Sequence, residues 1–198
     1  MNKIIQGQGN IISEDLIFGE NLELGHYNII ENGVVIGKNC YISNFAIIEN
    51  NVKMGDNCYI SDYAKLPEGT VLGNNVRVGG WVRTGINSVV GDNVVLKAKA
   101  ILGPNAKVGA GTTIGPYAIL LHGTHKGESY STSVGERCYV GCHGTIAPGC
   151  TIGDDVVVGA LAFVPRSISE KGVYVGLPAK KILRHDDRKA RTADMKWE

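Results

Sequence analysis

At 198 residues, with 20 Lys and Arg against 19 Asp and Glu and a formal charge of +1, the chain has the size of one domain. It has no charge surplus and no basic run to hold nucleic acid or an anionic membrane. No apolar stretch has the length of a signal peptide or a bilayer span, so the expectation is a cytoplasmic protein with neither kind of partner.

Residues 1–11 read as an opening cap with a weak register, because the end of any stack of strands needs cover. From Ile12 a strict pattern begins: every sixth residue is apolar, through Phe18, Leu24, Ile30, Ile36, Ile42, Ile48, Met54, Ile60, Leu66, Leu72 and Val78, and on from Val90 to Leu120. Only Thr84 interrupts it. A six-residue period matches neither a helix nor one long alternating strand; it matches a short strand and a corner, repeated. Small residues follow the apolar ones, as at Gly37, Gly55, Gly73, Gly91 and Gly109.

Three such units make an 18-residue superperiod with three columns. Asn21, Asn39, Asn57, Asn75 and Asn93 lead to Gly111 in the first, and Asp15, Gly33, Asn51, Gly69, Asn87 and Asn105 form the second. Asn and Gly tolerate positive φ, so both columns read as stacked corners of a triangular prism. The third column is Tyr27, Phe45, Tyr63, Trp81, Lys99 and Tyr117. Aromatic stacking along a corner accounts for it; a sugar platform or a subunit interface are the alternatives. Arg77 and Arg83 near Trp81 are of a type that meets a nucleotide diphosphate. Cys40 and Cys58, 18 residues apart, read as stacked core thiols, and Cys138, Cys142 and Cys150 show no CxxC pair or disulfide framework, so all five are expected reduced.

The beat fails once. Leu120 and Val134 are separated by fourteen residues, an insertion of two or of eight into the period, and the sequence does not choose. The stretch 121–133 leaves the prism and carries His122 and His125. A regular prism has little room for chemistry inside, so function belongs on this loop and in grooves between neighbours. The register then resumes at Val134, Val140, Ile146, Ile152, Val158 and Val164, and a helical tail is expected over about 178–193, opened by Pro178 in its first turn. The expected division is a β-helix over 1–177 with the loop excursion at 121–133, followed by a tail over 178–198.

The order of coil, His-bearing loop, resumed coil and closing VYVGLPAKKI resembles the CoA-dependent acyltransferases of the hexapeptide-repeat family, above all sugar O-acetyltransferases and nucleotide-sugar N-acetyltransferases. The repeat marks only the superfamily; VGLPAKK narrows it to acyl-CoA users. The resemblance implies an all-β fold, a left-handed parallel β-helix, assembled as a homotrimer. It implies acetyl-CoA as donor and a sugar or nucleotide-sugar hydroxyl or amine as acceptor.

It places a catalytic base at His125, with His122 as runner-up and, for an amine acceptor that arrives neutral, no protein base as the remaining alternative. A neutral imidazole suits that role because its unperturbed pKa lies near working pH. It places the CoA arm against the main chains of Cys142 and Ala160, with Gly141 and Gly159 allowing close approach. Arg166, Lys180, Lys181 and Arg184 fall where the family binds phosphate, around Pro178. Pro165 replaces a frequent Thr of the pattern. His143 reads as structural or solvated. No metal is expected. A γ-class carbonic anhydrase, which shares the β-helix, would need three histidines in zinc geometry, and this chain lacks that spacing. A non-enzymatic scaffold would suit the clean register but leaves the His loop and VGLPAKK without a purpose.

Overall fold

The structure is a computed structural model and describes residues 4–183. Those residues form a parallel β-solenoid of about nine turns, a left-handed β-helix. The first face runs from Ile5–Gln6 through Glu23–Leu24 and Tyr41–Ile42 to Val156–Val158 and Gly172–Val175. The second begins at Ile11–Ile12 and ends at Phe163–Val164, its two four-stranded sheets joined by single bridges from Arg83 to Lys65 and Ile101. The third runs from Ile17–Phe18 to Thr151–Ile152. Coiling thus starts at Ile5, which already pairs with Glu23, so the expected cap is a full turn. No helix of the described residues is long and apolar enough to cross a membrane.

Each two-residue strand from Glu23–Leu24 to Thr151–Ile152 repeats one logic. Its second residue points inward and its first outward, so Ile42, Ile48, Ile60, Leu66, Leu96, Ile114 and Leu120 are fully buried. Burying each such side chain contributes roughly 1.5–3 kcal/mol, repeated at every sixth residue. Thr84 keeps its place because Thr70 lies beside it: the two hydroxyl oxygens are 3.1 Å apart, and Thr70 Oγ1 donates to Pro67 O at 2.7 Å. Cys40, Cys58, Cys138 and Cys150 are buried and Cys142 half-buried, all with free thiols. Burial pushes the Cys138 thiol up to about 11.

The corners carry the strain. Asn21, Asn39, Asn57, Asn75 and Asn93 sit at φ of 53–58°, as do Asn51, Asn87 and Asn105 at 55–59°. Asn side chains fit here because they link coil to coil: Asn21 Nδ2 donates to Asn39 Oδ1 at 2.8 Å. Asp15 heads its column without a positive φ and instead accepts from Gly33 N–H at 2.8 Å. The third column adopts the left-handed conformation too, at Tyr27, Phe45, Tyr63, Trp81, Lys99 and Tyr117, and continues through His143 and Leu161. A bulky residue there costs about 1–2 kcal/mol, and stacking offsets it. The rings lie face to face at centroid distances of 5.4 Å for Tyr27–Phe45, 4.9 Å for Phe45–Tyr63 and 4.3 Å for Tyr63–Trp81. Between Tyr27 and Tyr63 each ring covers the next, so solvent meets mainly ring edges.

Three carboxylates in the N-terminal coils are held below the ordinary range. Asp62 accepts from Ser43 Oγ and from Asn44 N–H, Asp15 from Ser13 Oγ and Gly33 N–H, and Glu49 pairs with Lys65 at 2.6 Å. A depressed folded pKa contributes stability that is present above the unfolded value and lost as pH falls through the folded one. Amide hydrogen exchange is therefore expected to show the coils around 15–62 opening first in acid, with Asp62→Asn showing less of this acid sensitivity. Uniform exchange along the chain at low pH would contradict it.

The end of the chain departs from expectation. Residues 180–183 are a strand, Lys180–Leu183, antiparallel to Gly172–Val175, where the start of a helix was expected. Pro178 stands after a cis peptide in the turn that precedes this strand, and no helix begins there. Gly176, at φ 94°, turns the chain back onto the last strand of the first face, whose unpaired edge groups outweigh the local helix signal. The rest of the expected helix, and Arg184, lie outside the described residues.

Candidate active site

Strand pairing settles the size of the insertion. Lys107 pairs with Ser133, Thr113 with Tyr139 and Ile119 with Thr145, each 26 residues apart instead of 18, so eight residues are inserted. They stand at the corner between the second and third faces as a small hairpin. Gly123 bridges Ser129, Tyr130 N–H donates to His122 O at 2.6 Å, and Thr124 N–H donates to Glu128 O at 3.0 Å. At the tip, Gly127 N–H donates to Thr124 O at 3.0 Å, and Gly127 sits at φ 78°. Thr124 to Gly127 is thus a turn closed by a left-handed glycine, with His125 and Lys126 as its central residues.

The two loop histidines differ in consequence. His122, at the hairpin base, lies against Gly103: a Cβ there would come within 2.7 Å of His122 Cβ and 3.0 Å of its Nδ1. His125 is exposed at the tip, and its ring has no hydrogen-bond partner among the described residues. It is free to meet something outside the chain.

The other expected residues gather at the corner between the first and second faces. Gly141 and Gly159 stack directly: a Cβ on Gly141 would fall 2.5 Å from Ala160 N, so only glycine fits. Cys142 and Ala160 follow them on successive coils. Cys142 O accepts from Leu161 N–H at 2.9 Å, but the N–H groups of Cys142 and Ala160 have no partner among the described residues. They form two steps of a donor row, one strand spacing of about 4.8 Å apart. His143 comes next, its ring stacked on Tyr117 at 4.8 Å, which fits the structural role expected of it.

The cations are dispersed. Val175, which pairs with Lys180, packs against Gly159, so Lys180 lies near the donor row and is exposed. Lys181 forms an ion pair with Glu170 and is less available. Arg166 lies between the last strand of the second face and the bridge at Ile168, on the hairpin's corner. One chain therefore splits the expected site between two corners: His122, His125 and Arg166 at one, and Gly141, Cys142, Gly159, Ala160 and Lys180 at another. The continuation of the aromatic column into His143 and the bare donor row were not read from sequence. The 26-residue step from Tyr117 to His143 would have revealed the first. Among the described residues no three His, Cys, Asp or Glu side chains converge as a metal site.

Known proteins share the repeat. The chain matches the GMPPB C-terminal domain over residues 8–102, the bacterial transferase hexapeptide (six repeats) over 87–122 and the hexapeptide repeat of succinyl-transferase over 131–163. The last two matches stop and resume on either side of the hairpin. Over 59 residues it is 42% identical to the putative lipopolysaccharide biosynthesis O-acetyl transferase WbbJ of Escherichia coli, covering 30% of each chain. Over 65 residues it is 38% identical to galactoside O-acetyltransferase of Escherichia coli, covering 32% of each. The chain thus spans about a third of the length of these curated relatives. PerB from Caulobacter crescentus, solved with CoA and GDP-perosamine, is similar at 31% identity with a TM-score of 0.55, over 60% of this chain and 54% of that one. LpxA from Acinetobacter baumannii shares the fold at 14% identity and a TM-score of 0.60, over 90% of this chain and 73% of that one.

Proposed function

We propose that this chain, which belongs to the hexapeptide-repeat β-helix proteins, transfers an acetyl group from acetyl-CoA to a hydroxyl or amine of a sugar or nucleotide-linked sugar. The observation that carries this is the bare corner at Cys142 and Ala160, where stacked glycines expose two successive N–H donors to an extended amide-bearing ligand. WbbJ and galactoside O-acetyltransferase are named as sugar or lipopolysaccharide O-acetyl transferases, and PerB was solved with CoA and a nucleotide sugar, which supports the same chemistry here.

In this mechanism the N–H groups of Cys142 and Ala160 hold the amide-bearing arm of the donor, and Lys180 meets its phosphates. His125 takes the proton of the acceptor hydroxyl or amine as the new bond to the acetyl carbon forms. As the carbon–sulfur bond breaks, His125 returns that proton to the departing thiolate. Because His125 and the donor row lie at different corners, a second copy of the chain completes the site. The corner bearing the hairpin of one protomer faces the glycine corner of the next, and closing that head-to-tail contact gives a homotrimer.

Calorimetric titration with acetyl-CoA tests the reading. Saturable binding near one site per chain is expected, followed by CoA release when sugar acceptors are supplied. No binding to folded protein would leave only a scaffold. Replacing Lys180 and Lys181 together by alanine is expected to weaken CoA more than dephospho-CoA, since a lysine acts on phosphate as a point charge. Equal weakening of both ligands would rule out a role for these lysines at the 3′-phosphate.

A further inference from the structure

The corner between the first and second faces changes character halfway along the prism. In the N-terminal coils, the residue before each corner ring caps the N–H one coil earlier. His26 Nδ1 accepts from Gln8 N–H at 2.9 Å, Asn44 Oδ1 from His26 N–H at 2.8 Å, and Asp62 Oδ1 from Asn44 N–H at 2.9 Å. Gly80 and Ala98 bring no such acceptor. From there the backbone donors of Gly80 and Ala98 have no partner among the described residues.

The aromatic ladder breaks at the same height. Lys99 stands where the next ring would, and its ammonium is drawn toward the following coil: Nζ donates to the Tyr117 hydroxyl at 2.9 Å and lies 5.0 Å from that ring's centroid. Trp81 is therefore the last ring of the stack, 58% exposed, with Tyr63 on one face at 4.3 Å and Lys99 toward the other. Arg77 and Arg83 flank Trp81 on the two faces that meet at this corner, both exposed, and their guanidinium groups make no hydrogen bond or ion pair among the described residues. Of the nearby carboxylates, Asp62 is committed to Ser43 and Asn44, and Glu49 pairs with Lys65 while its charge also acts on Arg83. A terminal aromatic ring surrounded by cations is chemistry for a planar base joined to phosphates: indole stacks on the base, and guanidinium and ammonium groups bind the phosphate oxygens.

We propose that this corner binds the nucleoside diphosphate part of the acceptor, with Trp81 against the base and Arg83 and Lys99 on the phosphates. The proposal rests on the acyl-transfer reading and narrows it to a nucleotide-linked sugar. The spacing agrees: His143, beside the donor row, lies three coils beyond Trp81, roughly 14 Å at one strand spacing per coil. A diphosphate and a sugar ring span that distance.

The test separates the two readings. CoA affinity is measured first, without nucleotide; its absence in the wild type would sink acyl transfer while saying nothing of this corner. UDP, GDP and pyrophosphate are then titrated in the presence of saturating CoA, so that a nucleotide cannot simply occupy the donor's site. Saturable binding of UDP or GDP is expected, with quenching of Trp81 fluorescence. Arg83→Met with Lys99→Met should weaken nucleotide and pyrophosphate at least ~10-fold, the scale of removing one charge-assisted hydrogen bond to phosphate. Trp81→Leu should weaken the nucleotide and spare pyrophosphate, and Lys99→Arg should retain binding. CoA affinity unchanged in each variant shows an intact fold. No saturable binding of either nucleotide to the wild type, or undiminished binding in the double variant, overturns the proposal.

Discussion

Replacing His125 by alanine is expected to lower turnover by about two to four orders of magnitude, the contribution typical of a positioned general base. Its place at an exposed hairpin tip means that nothing in the prism depends on it, so the fold and acetyl-CoA affinity should not move. The effect should then lie in kcat. The division of the site between two corners adds a second readout. Mixed with a variant whose donor corner is blocked, such as Ala160→Phe, the alanine protein should regain part of its activity. In a mixed trimer an intact His125 meets an intact neighbouring corner. Wild-type turnover of the alanine variant would remove His125 from the mechanism, and failure of any mixture to recover activity would place the site within one chain.

Replacing Asn28 by leucine is expected to cost about 2–6 kcal/mol of stability, although the leucine is of similar size and more apolar. Asn28 is fully buried; its Oδ1 accepts from Ala46 N–H at 2.8 Å and its Nδ2 donates to Ser43 O at 2.7 Å. Leucine leaves both backbone groups buried without partners, at about 1–3 kcal/mol each. Denaturant unfolding measures the change. An unmoved midpoint would mean that water reaches this corner and that the amide is dispensable.

Much of this molecule was legible in one dimension. Along the regular coils each two-residue strand buries a single side chain and the next begins six residues later, so the core is written as a period rather than as scattered hydrophobic residues. The Asn columns announce two corners because few other residues accept a positive φ without cost. The third corner was harder to read, since aromatic residues adopt that conformation only where a neighbour one coil away covers the ring. Tyr27 and Phe45 are held there by each other, a contact that local preference does not encode. The opening of the tail, over Lys180–Leu183, differs from expectation for a related reason. Pro178 does suit a helix start, but the open edge beside Gly172–Val175 offers a ladder of hydrogen bonds to any strand that reaches it.

The sequence by itself determined the coil, its apolar interior and the existence of one excursion bearing His122 and His125. It did not determine which corner faces which. All three faces ask for an apolar residue at the same sixth place, so insertions of two and of eight residues satisfy the interior equally well. With two, Cys142 and Ala160 would share the hairpin's corner; with eight, they stand at a different one. Only the hydrogen-bonded pairing of Ile119 with Thr145 breaks that tie, because backbone donors must meet acceptors on one particular neighbouring coil. The tertiary structure therefore decided that the expected base and the donor row are apart in one chain.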